Sequence, residues 1–82
     1  MNKERREMLL DAIPYLEDAI GEIQNVIDEE QDAYDNLSEG LQMSSRGESM
    51  MEAIDDLNEM MDDIANICNK ISSYASGKRK KS

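Results

Sequence analysis

The chain predicts an all-α fold: a two-helix antiparallel hairpin with heptad repeats that pairs with a second copy to form a four-helix bundle. Three observations carry this. Apolar residues recur at alternating steps of four and three along two separate stretches. Those residues are mostly Ile, Leu, Met and Ala, with no Phe and no Trp, which suits helix packing better than a sheet. Pro14 is the only proline, too little punctuation for a chain of many short strands.

The first helix is expected over 3–37. Its seam is Leu9, Ile13, Leu16, Ile20, Ile23 and Ile27, then Tyr34, Leu37 and Leu41 just beyond, interrupted only by Glu30. Pro14 lies inside it. Without an amide it cannot bond to the carbonyl of Leu10, and its ring crowds that turn. Because the heptad phase runs on across it, a kink near residues 10–14 is expected, with a short separate N-terminal helix as the alternative.

A loop is expected over 38–45, where Gly40 and three serines cluster. Ser45-Arg46-Gly47-Glu48 fits a capping box, with Ser45 as N-cap and Glu48 reaching back. The second helix is then 46–76, with Met50, Ile54, Leu57, Met61, Ile64, Cys68, Ile71 and Ala75 as an unbroken seam. Gly77 is expected to end it, completing a helical hairpin over 1–77. Residues 78–82 read as a disordered basic tail.

Each seam has a second apolar stripe beside it. Ala12, Ala19, Val26 and Ala33 recur every seventh residue in the first half, as do Ala53, Met60, Ile67 and Tyr74 in the second. With Ile13 and Ile54 as heptad position a, the seams are a and d and these stripes are g. A pair of helices needs a and d alone; a third apolar position calls for the wider buried face of a bundle. Ile13, Leu16, Ile20, Ile23, Ile27, Ile54, Leu57, Met61, Ile64 and Ile71 are therefore the expected self-association residues, in a homodimer or higher oligomer. Residues 10–23 also align with 51–64 at an offset of 41, but any two heptad helices look alike.

Net charge is −10, unevenly spread. Residues 11–76 hold seventeen Asp and Glu against Arg46 and Lys70, whereas Lys78-Arg79-Lys80-Lys81 is purely basic. An acidic body repels nucleic acid and anionic lipid and attracts basic protein surfaces. Its plainer reading is a solvated helix exterior. Direct nucleic-acid binding is not expected except through the tail.

The chemistry of an enzyme is missing. There is no histidine, hence no usual general base or metal ligand. Cys68 is the only cysteine and occupies an a position among Ile64, Ile67 and Ile71, the setting of an inert buried thiol. A single cysteine permits no intramolecular disulfide, which fits a reducing compartment. Paired carboxylates such as Asp55-Asp56 and Asp62-Asp63 point in different directions on a helix. Asp28, Glu30, Asp32, Asn36 and Glu39 fall at positions 1, 3, 5, 9 and 12 of a calcium loop. Ala33 stands where that loop needs glycine, and the heptad passes straight through. No metal and no cofactor is expected. With no signal peptide and no bilayer-length apolar run, the expected setting is cytoplasmic, in a bacterium or in the host of a phage.

The stretch 28–54 has a sharper pattern. Glu30-Gln31, Tyr34-Asp35-Asn36-Leu37, Leu41-Gln42, Ser44 and Arg46-Gly47-Glu48 link two acidic helices. In these residues the chain resembles a group of small uncharacterised acidic helical-hairpin proteins of bacteria, phages and prophages. The opening Met1-Asn2-Lys3-Glu4-Arg5-Arg6 is also similar to theirs. Members of the group often carry proline where Ser38 stands, so the turn can differ locally. The resemblance implies a helical hairpin and a mobile-element origin, and it implies no activity.

These readings point to a non-enzymatic protein–protein interaction module of phage or prophage type that modulates or inhibits a host protein. The alternatives are an acidic decoy imitating nucleic-acid phosphates and a purely structural assembly adaptor. Arg46, Met50, Met51 and Met60 are the candidate partner-binding residues. Methionine adapts to binding surfaces but also fills cores. Arg46 is the only cation between Arg6 and Lys70, and it opposes the macrodipole at the start of helix two. A salt bridge to Asp35, Glu39 or Glu48 would offset that; presentation to a partner is the other explanation.

Overall fold

A computed structural model of the chain describes residues 1–76. The expected helix stop at Gly77 and the basic tail of residues 78–82 lie outside the described residues. Within 1–76 the elements are all helical: α1 (Lys3–Leu10), α2 (Ala12–Asp35), α3 (Glu39–Gln42) and α4 (Ser45–Ser76).

The expected helix over 3–37 is interrupted once and ends slightly early. α1 stops at Leu10 and α2 starts at Ala12, with Asp11 between them. The interruption is a single residue, since Asp11 keeps right-handed helical dihedrals and its amide bonds to the Glu7 carbonyl at 3.1 Å. Pro14 is the physical reason. It falls in the first turn of α2, where an amide has no partner within the helix and its absence costs least. α1 is capped by Asn2, whose side chain accepts the Arg5 amide at 2.8 Å. α2 ends at Asp35, and the amide of its C-cap Asn36 still reaches the Asp32 carbonyl at 3.1 Å.

The span 38–45 is not plain loop. Ser38, extended at ψ 159°, accepts the Leu41 amide at 3.3 Å and so opens the short helix α3. α4 starts at Ser45, one residue before the expected 46, and the Ser45–Glu48 capping box is not formed. The Ser44 carbonyl accepts the Glu48 amide at 3.0 Å, while the Ser44 hydroxyl turns back to the Leu41 carbonyl. Ser44 is thus committed to finishing α3 rather than capping α4 with its side chain.

α4 is the spine of the molecule. α2, α1 and α3 all pack against it, α2 most extensively. α1 meets its C-terminal part, where Leu9 shares a shallow groove with Ile67, Ile71 and Tyr74. α3 meets its first turn, where the Gln42 backbone lies on Gly47. The body measures 58 × 24 × 11 Å, a slab one layer of helices thick. A single layer has no second layer to cover its faces. Among the described residues only Ile27, Ile54 and Ala75 are buried apolar side chains.

Candidate interaction surfaces

The seam residues are covered inside one chain, incompletely. Ile27 and Ile54 are buried, and Ile13, Leu16, Ile20, Ile23, Leu57, Met61, Ile64 and Ile71 are half-buried. Cys68 is half-buried among them. Their first use is therefore the packing of α4 on α2 and α1. Glu30, the polar residue that breaks the seam, is half-buried as well.

The flanking stripe behaves differently. Val26 is 53% exposed, Met60 50% and Ile67 45%. Tyr74 at the end of the same stripe is also exposed. The alanines Ala12, Ala19 and Ala53 are half-buried, and Ala33 is exposed. Intramolecular packing thus uses the a and d positions and leaves the bulky g positions about half exposed. Met60 was a partner-binding candidate from sequence; Val26 and Ile67 were legible as a stripe, but not as the part left uncovered.

The turn is the second surface. The Gln42 side-chain amide donates to the Tyr34 carbonyl at 2.9 Å, which also accepts the Leu37 amide at 3.0 Å. This ties α3 to the end of α2. Gly47 then admits the Gln42 backbone: a Cβ at position 47 would collide with the Gln42 carbonyl. Gln42, Ser44 and Gly47 therefore have structural work in the turn, and it accounts for three residues of the Leu41–Glu48 pattern.

Arg46 has no such task. It is exposed and, among the described residues, is joined to no carboxylate, so the expected salt bridge to Asp35, Glu39 or Glu48 is not made. Leu41 and Met43 beside it are exposed too, Met43 at 81%. Sequence reasoning placed Leu41 on the seam and passed over Met43. The short helix α3, invisible in the heptad pattern, turns Leu41 outward, and Met43 follows as its C-cap. Of the other candidates, Met51 is exposed and Met50 half-buried.

The calcium-like segment is helix as far as Asp35. Its carboxylates at 28, 30 and 32 are therefore splayed around a helical surface rather than wrapped about one point. Asp28 and Asp35 instead accept the side-chain amides of Gln24 and Gln31, each at 3.0 Å. Among the described residues no three His, Cys, Asp or Glu stand together as a metal site, and no helix is long and apolar enough to cross a membrane.

No protein-family model, no curated protein and no solved structure matches this chain.

Proposed function

We propose that the chain is a non-enzymatic protein–protein interaction module, built as an antiparallel helical hairpin that self-associates into a four-helix bundle. The observation that carries this reading is the exposed stripe of Val26, Met60 and Ile67 beside a seam already used inside the chain. In antiparallel helices packed through a and d, the two g positions fall on the same side. The stripes of α2 and α4 then merge into one apolar face, while the e side is mainly polar, with Glu17, Gln24, Gln31, Asn58 and Ser72 beside Met51 and Ala65. Burying apolar surface is worth roughly 25 cal/mol per Å², so a half-open face with a three-residue buried core favours association.

Within this reading the protein is of phage or prophage type, acts in the cytoplasm and modulates a host protein. The exposed turn residues Arg46, Leu41 and Met43 are the contact it presents beyond its own bundle. The resemblance of the turn to the acidic hairpin proteins of phages and bacteria supports that origin. A second reading has its own support. Residues 12–63 hold sixteen carboxylates and one cation, a net charge of −15, as a decoy for a nucleic-acid-binding protein would.

Affinity capture from a bacterial lysate at low and high salt tests the function, using the intact chain, Arg46→Ala and Glu52→Gln. The module reading expects capture that survives high salt and is lost with Arg46→Ala. Capture that disappears at high salt, is indifferent to Arg46→Ala and weakens as carboxylates are neutralised would replace it with the decoy.

A further inference from the structure

The charge of the described body is divided along its length. Residues 12–63 carry −15, whereas residues 1–11 and 64–76 together carry +1, with Lys3, Arg5, Arg6 and Lys70 among them. These two segments share one end of the slab, because α1 packs against α4 and its Leu9 lines a groove with residues 67–74 of α4. The turn, flanked by Glu29, Glu30, Asp32, Asp35, Glu39 and Glu48, is at the opposite end. In sequence, four further cations follow directly after Gly77.

We infer that the occupant of the apolar stripe is a second copy of this chain, docked antiparallel, with the end of each protomer that carries Lys3, Arg5, Arg6 and Lys70, net +1, beside the acidic turn of the other. This rests on the self-association reading above and adds the orientation. A parallel dimer would set the two acidic turns side by side, where like charges within a screening length of roughly 8 Å repel. An antiparallel dimer replaces that repulsion with attraction at both ends.

Side-chain size points the same way. Met60 lies midway along α4, which spans Ser45–Ser76. Ala53 and Ile67 lie seven residues to either side of it, each about 10 Å away along the helix. A two-fold axis at Met60 and perpendicular to the long axis places Ile67 of one copy opposite Ala53 of the other. Large meets small on both sides of the axis, as close packing requires. In a parallel dimer Ile67 would meet its own equivalent, and Ala53 its own, leaving the interface splayed at one end and hollow at the other.

Pulsed dipolar spectroscopy on nitroxide-labelled protein tests the orientation, in a Cys68→Ser background with helicity checked for every variant. Labels on Arg46→Cys in both copies should lie roughly 40 Å apart, twice the helical rise from residue 46 to residue 60. A mixture of Arg46→Cys and Ser73→Cys protomers should add a distance on the order of 20 Å, about two helix diameters. Ser49→Cys with Lys70→Cys repeats the test if either variant of the first pair loses helicity. A short distance between the two residue-46 labels, with a long mixed distance, would overturn the antiparallel orientation while keeping self-association. Folded protein with no dipolar coupling, sedimenting as a monomer, would overturn both.

Discussion

Gly47 in the first turn of α4 lies so close to the backbone of Gln42 that any side chain at position 47 would overlap the Gln42 carbonyl. The opposing group is backbone, held by the hydrogen bond from the Gln42 side chain to the Tyr34 carbonyl at 2.9 Å, so it cannot simply rotate away. Gly47 is itself buried. The junction of α3 and α4 therefore depends on the absence of a Cβ at one position.

Gly47→Ala is expected to destabilise the fold by about 1–3 kcal/mol, the usual cost of overpacking a close contact. Urea unfolding followed by circular dichroism measures it. Gly40→Ala, where a Cβ meets nothing within 4 Å, is the matched control and should not lower the midpoint. Equal midpoints for the two variants would mean that the turn relaxes freely.

Gly21→Ala should act in the opposite direction. Gly21 sits inside α2, is exposed, and has open space where the Cβ would go. Alanine in a helix interior is favoured over glycine by about 1 kcal/mol, so the melting temperature should rise. A fall would mean that the backbone at position 21 is covered by something, and the face around it would need to be assigned to an interface.

Arg46→Ala should leave the melting temperature unchanged or slightly raised. The side chain is exposed and unpaired among the described residues, and a cation in the first helical turn opposes the macrodipole. A clear drop on thermal denaturation would restore the salt-bridge explanation and remove Arg46 from the candidate contacts.

Charges placed on the seam and on the stripe should separate two kinds of damage. Ile54→Asp puts an unpartnered carboxylate at a buried position and should abolish most helical signal, because a buried charge without a partner costs several kcal/mol. Ile20→Asp and Ile64→Asp, at half-buried seam positions, should do the same less completely. Met60→Asp, on the exposed stripe, should reduce helicity only as far as dissociation does, in a concentration-dependent way. Equal, concentration-independent loss for Ile54→Asp and Met60→Asp would mean that the stripe is part of the single-chain core.

The helices were legible because their signal is repetitive. Ile13 through Ile27 and Met50 through Ala75 report one period many times over, and no single residue decides the outcome. The helix interruption at Asp11 and the turn depend instead on single contacts. Pro14 announced a disturbance, yet whether the chain kinks or restarts is set by one missing hydrogen bond. α3 was not legible because four residues contain no full heptad; its signal is Ser38, whose side chain caps Leu41. Ser45 looked like the cap of α4, but neighbouring serines are equivalent in a pattern, and the turn places Ser44 before the helix. The apolar stripe at position g was visible in sequence. Which stripe a single chain covers was not, because that depends on how far two helices of this size can shield each other.

Sedimentation equilibrium of the intact chain at micromolar concentration is the most direct test of the central claim, that the exposed stripe of Val26, Met60 and Ile67 is covered by a second copy. The intact chain should sediment with a mass at or above twice the 9.3 kDa of one chain, falling toward one chain with Met60→Asp. A stably folded monomer of 9.3 kDa at that concentration, with a full helical spectrum and cooperative melting, would contradict it.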